Sequence, residues 1–454
     1  MKKIYYLFLA LCLLSSIGCN RKEKFCYSTP NAIPHTHRLM QSPGFWVARN
    51  NSADKVILDQ AGIREFNSRT EKELKLIKDL LKTEFLCSGE DLISSLRKEI
   101  LGLEKLKLYS KNSTRVGNSF YQEMEKQINF AAIPSQVKAR YGFVCHYVDQ
   151  RLLPTDEILT IKPGDIAFDE LQNSSLDIGA PLVILHESKD GLWAYVHSAT
   201  SSGWVRKDNV AFCEFSAFKA LLGKKSFAVV VSAKTDVFQD SALTRHIDSV
   251  RMGAKFPRAD NSNPETVKIL IPAQTKDGKF VEQAAYLKKV DVNFGYLTYT
   301  PRNIIRQAFK LLNAPYSWGG KNGEQDCSGF IQEIFSTVGI VLPRNSSEQG
   351  KVGRLLGNFP EKKDSELKLR TLDKLALAGV TVLQLNGHIV LYLGMYAGRP
   401  YVIHDIHAYR QKQCWGGCVV RKLNRVVVSD LALGEGCYKG SLLERIVSIR
   451  NIEG

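Results

Sequence analysis

A cysteine and two histidines further along the chain have the types and the order needed for nucleophilic catalysis. The cysteine is Cys327, in a DCSG tetrapeptide, and the histidines are His388 and His404. A thiolate attacks carbonyl carbons, and a hydrogen-bonded imidazole can take the proton from the thiol. A second imidazole can bond the far ring nitrogen and hold the first ring in its working tautomer. We therefore predict Cys327 as the nucleophile, His388 as the general base and His404 as the group that orients the base.

Two helices are predicted around the cysteine. Thr300 can cap a first helix and Pro301 fits its first turn, and the apolar residues that follow recur at helical spacing. A second apolar series runs from Phe330 to Val338, so Cys327 lies where the second helix begins. Unpaired N–H groups and the positive end of the helix dipole stabilise a thiolate at that position. We therefore expect Cys327 to be ionised.

Two strands are predicted to carry the histidines. His388 opens an apolar run that reaches Gly394, and His404 ends a second run that starts at Tyr401. An antiparallel hairpin would set the two imidazoles on neighbouring strands. His407 is the alternative partner if the strand register differs. Because the base must be neutral, we expect activity to fall on the acid side between about pH 5 and 8.

Four motifs, PYSWGG, DCSG, LPRNS and GHIVLYLG, follow one another within residues 300–445. In this order they resemble the NlpC/P60 cell-wall cysteine peptidases. The resemblance implies a papain-like fold with a Cys-His-His triad, here Cys327, His388 and His404. It also implies hydrolysis of the amide between γ-D-glutamate and the diamino acid, meso-diaminopimelate or lysine, in peptidoglycan stem peptides. The N–H of Cys327 and the hydroxyl of Tyr316 are the candidate donors to the oxyanion.

Substrate contacts follow from the same resemblance. In such relatives the acid and the serine beside the nucleophile, and the Arg and Ser of the PRxS motif, bind the stem peptide. Here these positions are Asp326, Ser328, Arg344 and Ser346. A carboxylate suits the ammonium of a free L-Ala, while hydroxyls and a guanidinium suit the carboxylate of γ-D-Glu. Helix capping is the alternative role of Asp326 and Ser328.

The resemblance also implies a role for an SH3 domain at the active site. In such relatives the SH3 domain blocks one end of the groove, and an aromatic residue from it meets the L-Ala. The enzyme would then prefer stems with a free N-terminus over stems attached to glycan. Tyr147 and Tyr195 are the candidate aromatic residues.

The 454-residue chain is long enough for several domains, and we expect an α+β protein. The expected order is a signal peptide at 1–18, a mainly helical N-terminal segment at 19–135, two small SH3-like β-barrels at 136–215 and 224–295, and the papain-like catalytic domain at 300–454. Helices are predicted at 71–81 and 91–106 within the N-terminal segment. That segment is either a domain that clasps the catalytic domain or a helical spacer.

The first residues have the pattern of an export signal. Lys2 and Lys3 precede an apolar run that is too short to span a bilayer, and the SIGC tetrapeptide ends at Cys19. This tetrapeptide resembles a lipobox, with Ser in place of the usual Leu, so we expect a lipid on Cys19, with ordinary secretion as the alternative. Asn20 resembles the residue that sends lipoproteins onward, which points to the periplasmic face of the outer membrane of a Gram-negative cell.

The net charge and the composition limit the classes of binding partner that we expect. The formal charge is +16, and removal of Lys2 and Lys3 with the signal leaves 16 − 2, or +14. A basic exported protein suits an anionic wall or membrane surface, and we do not expect a nucleic acid partner. The expected partners are peptidoglycan stem peptides and, through the lipid anchor, the membrane, and the protein is expected to be a monomer.

No metal or cofactor is expected. The sequence has no HExxH helix, and Pro315 stands where a phosphate loop would need its first glycine. Cys414 and Cys418 lack a second ligand pair, so a loop disulfide or free thiols are favoured over half of a metal site. Two other functions stay open: a wall-binding lipoprotein without catalysis, which the intact triad argues against, and a papain-like acyltransferase.

Overall fold

The computed structural model describes residues 25–26, 33–81, 86–260, 263–360, 364–414 and 416–454. The predicted signal peptide at 1–18 and the predicted lipidation of Cys19 lie outside these residues. Within the described ranges, no helix has both the length and the apolar character needed to cross a membrane. The predicted α+β class is confirmed, because helices dominate the N-terminal region and strands dominate the rest.

The N-terminal region is mainly helical. Its elements are β1 Phe25–Cys26, a 3-10 turn Arg38–Gln41, α1 Pro43–Val47, α2 Gln60–Lys72, β2 Leu86–Ser88, α3 Gly89–Glu104, β3 Tyr109–Ser110, α4 Asn118–Ile128 and a 3-10 turn Phe130–Ala132.

Helix caps decide the boundaries of this region. The helix predicted at 71–81 is wrong: α2 starts after Asp59, whose side chain accepts from the N–H of Gly62 at 2.8 Å, and ends at Lys72. Lys75 has a φ of 56°, a left-handed conformation that a helix cannot continue through. The helix predicted at 91–106 is confirmed within two residues, because Ser88 caps α3.

The N-terminal region packs on two other parts of the molecule. Phe45, Trp46 and Phe66 lie in the same core as the helices of the C-terminal domain. Leu96 of α3 and Tyr121 of α4 lie in a core shared with the strands that follow. Burying large apolar side chains is the dominant stabilising term in folding. The N-terminal region therefore packs stably on both the C-terminal domain and the strands that lie between the two in sequence.

The first β-unit is an antiparallel sheet that starts at Arg140, because the strand Gln136–Lys138 pairs with Leu86–Ser88 instead. Its seven strands are ordered β12-β5-β9-β10-β11-β6-β8. Trp193, Tyr195 and Trp204 fill its core, and the runs predicted at 181–186, 191–196 and 203–205 are confirmed as strands within two residues. The elements are β4 Gln136–Lys138, β5 Arg140–Val144, β6 Val148–Arg151, β7 Leu159–Thr160, β8 Gln172–Leu176, β9 Pro181–Glu187, β10 Trp193–His197, β11 Ser202–Arg206, a 3-10 turn Lys207–Asn209 and β12 Val210–Cys213.

The second β-unit follows helix α5, Phe215–Leu222. It consists of a three-stranded sheet, β16-β13-β19, and a four-stranded sheet, β15-β14-β18-β17, around one core. Its assignment as a second SH3-like barrel stays a prediction. The elements are β13 Phe227–Val230, β14 Lys234–Phe238, β15 His246–Arg251, β16 Lys255–Pro257, β17 Thr266–Gln274, β18 Phe280–Lys288, a 3-10 turn Lys289–Asp291 and β19 Val292–Phe294.

The C-terminal domain places helices against a mixed sheet. Its strand order is β1-β24-β23-β22-β21-β25-β20, in which the N-terminal β1 pairs parallel to β24. A disulfide joins Cys418 to Cys437. Of the two cysteines predicted to form either a loop disulfide or free thiols, Cys418 is therefore in a disulfide and Cys414 is a free thiol. The elements are α6 Pro301–Lys310, an irregular 3-10 segment Trp318–Gly323, α7 Cys327–Ser336, α8 Ser346–Gln349, β20 Arg354–Asn358, α9 Ser365–Leu375, β21 Thr381–Leu385, β22 His388–Tyr396, β23 Arg399–Lys412, β24 Cys418–Asp430 and β25 Ile446–Asn451.

The local predictions around the candidate site are confirmed. The Thr300 side chain caps α6 by accepting from the N–H of Asn303, and α7 begins at Cys327. Strands β22 and β23 pair antiparallel, with Tyr396 opposite Arg399 across a tight turn. The sequence therefore positions the nucleophile and both histidines through short-range signals.

Candidate active site

Cys327 is the first residue of α7. The carboxylate of Asp326 caps this helix by accepting from the N–H of Gly329 at 2.9 Å. The backbone amide of Ile389, the residue after His388, lowers the pKa of the Cys327 thiol. Helix α7 thus delivers the thiol to the start of the strand that carries the first histidine.

The thiol of Cys327 is protonated at neutral pH, in contrast to the expected thiolate. Burial raises the pKa of Cys327 to about 12, and the negative charge of Asp326 acts in the same direction. The amide of Ile389 and the guanidinium of Arg344 lower the pKa, but they do not offset the loss of solvation. A helix start favours a thiolate only by a modest dipole term, so burial decides the resting state.

The two histidines form a direct pair. Nε2 of His388 lies 2.8 Å from Nδ1 of His404, and Nε2 of His404 lies 3.1 Å from Oγ of Ser429. The alternative partner, His407, bonds Asn424 through Nδ1 at 2.9 Å instead. His404 and His407 are three positions apart on β23, so alternation favours opposite faces for them, and the register also shifts at a β-bulge between Ile406 and Ala408.

One pattern of ring protons lets His388 act as the base. For His388 to accept a proton at Nδ1, its Nε2 must carry the hydrogen and donate to Nδ1 of His404. His404 then carries its hydrogen on Nε2 and donates to the Ser429 hydroxyl. In this pattern the His388 nitrogen left for the thiol is Nδ1.

Both imidazoles are neutral. Burial lowers the pKa of His388 to about 3, and the charge of Arg445 acts in the same direction. Burial, followed by His388, lowers the pKa of His404 well below its usual value. With a neutral thiol and neutral rings, the site can move a proton from Cys327 to His388 only as the sulfur attacks.

Tyr316 lies beside the nucleophile. Its backbone N–H donates to the carbonyl of Asn424 at 3.1 Å, which anchors the loop on β24. Burial, together with the charges of Cys327 and Asp326, raises the pKa of Tyr316, so its hydroxyl keeps the proton. A protonated phenol can donate a hydrogen bond to an oxygen that becomes negative.

Three of the four residues predicted to contact the substrate bond one another, and the fourth, Ser346, lies at the start of α8. The guanidinium of Arg344 makes a bidentate pair with the carboxylate of Asp326, at 2.8 and 3.0 Å, and also donates to the Ser328 hydroxyl at 2.9 Å. All three side chains are buried. Asp326 also caps α7, so the capping alternative describes its local geometry. Ser346 opens α8 and is half-buried.

The first β-unit contributes side chains to the site. The ring of Phe168 lies 4.6 Å from that of His407 and 5.3 Å from that of Trp318, and it faces Tyr316 at 6.5 Å. Oγ of Ser174 accepts from Nε of Arg344 at 3.1 Å. The first β-unit therefore covers one side of the loop that holds Tyr316.

The two candidate tyrosines of the first β-unit lie in different places. The hydroxyl of Tyr147 contacts the carbonyl oxygen of Gly320 at 3.1 Å, on the loop before the nucleophile. The hydroxyl of Tyr195 donates to Glu99 of α3 at 3.2 Å, in the core shared with the N-terminal region. The structure thus brings Tyr147 to the C-terminal domain and leaves Tyr195 away from it.

Three residues that the motifs did not indicate also surround the site. Ser429 is fully buried at the end of an apolar run, VVVSD, and that polar interruption is the signal that could have found it. Asp405 follows His404, is fully buried, and among the described residues neither carboxylate oxygen has a hydrogen-bond partner. Burial and neighbouring acids raise the pKa of Asp405 well above its usual value. The third residue, Phe168, lies in a loop with no local signal.

Metal ligation is not supported by this arrangement. Within the described ranges, no group of three or more His, Cys, Asp or Glu side chains is arranged to hold a metal ion. The two histidines bond each other, and Arg344 bonds Asp326 and Ser328.

Comparison with known families agrees with this geometry. Residues 313–418 match the NlpC/P60 family, and residues 161–206 match the SH3 domain of SH3b1 type. The first match contains Cys327, His388 and His404, and the second contains Phe168.

Relatives and a solved structure extend the comparison. Over 97 residues the chain is 36% identical to the bifunctional muramidase/DL-endopeptidase CwlT of Bacillus subtilis, covering 21% of this chain and 26% of that protein. Over 56 residues it is 41% identical to a gamma-D-glutamyl-L-lysine dipeptidyl-peptidase of the same organism, covering 12% of this chain and 19% of the relative. The chain therefore spans about a quarter or less of these relatives' lengths. An NlpC/P60 endopeptidase from Photobacterium damselae subsp. piscicida shares the fold, with a TM-score of 0.70, 19% identity, and coverage of 88% of this chain and 94% of that one.

Proposed function

Because the chain contains an NlpC/P60 domain at residues 313–418 and an SH3 domain at residues 161–206, we propose that it is a cysteine peptidase acting on peptidoglycan. The observation that carries the proposal is the placement of Cys327 at the start of α7, in the same domain as a buried pair of histidines on β22 and β23. The His388–His404 pair at 2.8 Å supplies a neutral base.

The proposed reaction has two steps. As the sulfur of Cys327 bonds the scissile carbonyl carbon, its proton passes to Nδ1 of His388, and the ring then gives that proton to the leaving amine. The C–N bond breaks and a thioester remains on Cys327. His388 next takes a proton from water, whose oxygen attacks the thioester, and the proton returns to the sulfur as it leaves.

Transition-state stabilisation comes from donors that are already in place. The backbone N–H of Cys327 is one of the unpaired N–H groups of the first turn of α7, and the hydroxyl of Tyr316 keeps its proton. Donors of this kind stabilise the oxyanion that forms when the carbonyl is attacked. The imidazolium formed on His388 is stabilised in turn by Nδ1 of His404.

We propose that the bond cleaved is the amide between γ-D-glutamate and the diamino acid of a stem peptide. Arg344, Ser328 and Ser346 supply a guanidinium and hydroxyls suited to the free α-carboxylate of γ-D-Glu. The name of one relative, a gamma-D-glutamyl-L-lysine dipeptidyl-peptidase, agrees with this bond. The role proposed for Asp326, pairing with a substrate ammonium, requires that it share its carboxylate between Arg344 and the substrate.

A preference for stems with a free N-terminal L-Ala is part of the same proposal. Phe168 and Tyr147 of the first β-unit lie against the loop that carries Tyr316 and Gly320. A wall at this end of the cleft leaves room for a terminal ammonium and excludes a glycan chain. Phe168 is the aromatic residue that we assign to this wall.

We propose that the protein works in the cell envelope, where its substrate lies. Cys19 as a lipid anchor, and the periplasmic face of an outer membrane as the location, rest on the lipobox-like SIGC sequence and Asn20 alone.

Muropeptides of defined structure test the function. The protein should convert L-Ala-γ-D-Glu-diamino acid tripeptide to L-Ala-D-Glu and the free diamino acid, identified by mass spectrometry. Parallel substrates with diaminopimelate or lysine determine which diamino acid is preferred. Products cut at any other amide, or acyl transfer to an added amine without hydrolysis, would contradict the proposal.

A further inference from the structure

A cavity of about 390 Å³ lies where α7 meets both β-units. Asp177 of the first unit, Arg251 of the second, and Gln325, Glu333 and Arg344 of the C-terminal domain line it. Its volume falls at the lower end of the range for small-molecule sites, about 300 to 1,000 Å³. The cavity does not include Cys327, His388 or His404 among its lining residues.

The charged groups in this cavity are paired except for one carboxylate. Nε of Arg251 bonds both oxygens of Asp177 at 3.1 Å, and Arg344 pairs with Asp326. Glu333 is only 8% exposed, and neither of its carboxylate oxygens has a hydrogen-bond partner among the described residues. Burial of this kind raises the pKa of a carboxyl, and a cationic group from outside the chain would stabilise its ionised form.

A second unpartnered group in the same cavity is a donor. Nε2 of Gln325 is buried and, in the part of the chain that the structure describes, bonds nothing. An unpartnered acceptor and an unpartnered donor in one cavity suit a ligand that carries both a cationic donor and an anionic acceptor. Lys255 does not fill this role, because it is exposed at the rim with its ammonium over the rings of Phe227 and Tyr296.

We propose that this cavity binds an amino-acid-sized zwitterion, whose primary ammonium pairs with Glu333 and whose carboxylate accepts from Gln325. The cavity shares Arg344 with the proposed substrate site but contains none of the three triad residues, and the inference does not depend on the proposed reaction. One wall is tightly closed: a Cβ on Gly253, which has a φ of 86°, would lie 2.5 Å from Cβ of Ser336 on α7. The ligand therefore fills space next to the helix that carries the nucleophile.

The ionisation of Glu333 makes the proposed binding depend on pH. Burial raises the pKa of Glu333 to about 8. An ammonium would bind the ionised carboxylate, so affinity should rise as the pH passes upward through that value. The charged groups that act on Glu333 come from all sides: Arg251, Asp177, Arg344, Asp326 and, from β23, Asp405.

Calorimetric titration of the full chain with L-lysine tests the proposal. The wild-type protein should bind L-lysine, and E333Q should bind it at least tenfold more weakly, while E435Q, which changes an exposed carboxylate, should match the wild type. Wild-type affinity should be roughly eightfold weaker at pH 7 than at pH 8.5, the ratio of ionised Glu333 expected for a pKa near 8.

Several results would overturn the proposal. These are no binding of L-lysine by the wild type, equal binding by E333Q, equal binding of lysine acetylated on both nitrogens, or an affinity that does not change with pH. Because the readout is binding, a protein that binds L-lysine but cleaves no muropeptide would keep this inference and contradict only the peptidase. Cleavage without binding would do the reverse.

Discussion

Nε2 of His388 and Nδ1 of His404 lie 2.8 Å apart, and both rings are buried and neutral. The bond leaves only Nδ1 of His388 for the nucleophile. The hydroxyl of Ser429, 3.1 Å from Nε2 of His404, holds the second ring and can accept its hydrogen when His404 accepts from His388. A buried serine at the far end of the pair is thus a positioning residue for the base.

Replacing Ser429 tests this chain of contacts. S429A should lower kcat about tenfold, or ~1.4 kcal/mol of transition-state stabilisation, with little change in KM, because the substrate does not touch this residue. S429T keeps the hydroxyl and should recover most of kcat. Steady-state kinetics on a stem tripeptide measure both. Wild-type kcat in S429A would show that His404 keeps its tautomer without the serine.

The pH profile should be flat from about pH 5 to 8, unlike the expectation from the sequence alone. Because burial lowers the pKa of His388 to about 3, the base is neutral at every pH well above that value, and its protonation cannot limit activity until the pH approaches it. Because burial raises the pKa of Cys327 to about 12, thiol ionisation lies on the far side of this range. Measuring kcat/KM across the range checks this. A limb centred near pH 6.5 would mean that His388 is far more solvated than its burial indicates.

The pair formed by Asp326 and Arg344 should dominate local stability. R344A leaves Asp326 as a buried carboxylate without its cation and should lower the free energy of unfolding by about 3 to 5 kcal/mol. R354A, which breaks an exposed pair with Glu453, should cost about 1 kcal/mol or less. Denaturant unfolding measures the free energy of unfolding of both variants. Equal decreases in R344A and R354A would contradict the claim that the buried pair contributes more to stability than the exposed one.

The same pair has a pH signature. Burial alone would raise the pKa of Asp326, but Arg344 and the cap hydrogen bonds hold it below its usual value. A carboxyl with a lowered pKa in the folded state stabilises the protein above its unfolded pKa of about 3.9 and loses that contribution as the pH falls through the folded value. Wild-type stability should therefore drop steeply below about pH 4, and R344A should show a shallower drop.

Phe168 should decide between free and glycan-linked stems. F168A removes the ring that packs on Trp318 and His407, so KM for the free tripeptide should rise a fewfold while cleavage of glycan-linked stems increases relative to it. F212A, which truncates a half-buried ring elsewhere on the first β-unit, is the matched control. Kinetics on the two substrates measure the ratio, and an unchanged ratio in F168A would remove this ring from the specificity wall.

Short-range signals were enough to predict the elements that carry the triad. Thr300 caps α6, the apolar series after Cys327 forms α7, and two apolar runs predicted β22 and β23, although β23 continues to Lys412, beyond the run that ends at His404. Each of these features depends on a few neighbouring residues, whose propensities and caps act locally.

Long-range packing determines the features of the site that local sequence patterns did not predict. The choice of His404 over His407 depends on how β22 pairs with β23, and the ionisation of Cys327 depends on burial by the whole domain. Ser429 comes from another strand, and Phe168 comes from another unit of the fold. The helix predicted at 71–81 is absent because α2 begins at the Asp59 cap and ends at Lys72, before the left-handed Lys75. Apolar spacing alone predicts neither of these boundaries.

Turnover by nucleophile and base variants tests the central claim most directly. The rate of γ-D-Glu-diamino acid cleavage should fall by several orders of magnitude, about 10³-fold or more, in C327A and in H388A. C145A, which removes another buried free thiol, should keep the wild-type rate. Circular dichroism should show all three variants folded. Cleavage by folded C327A at more than a tenth of the wild-type rate would contradict the assignment of Cys327 as the nucleophile.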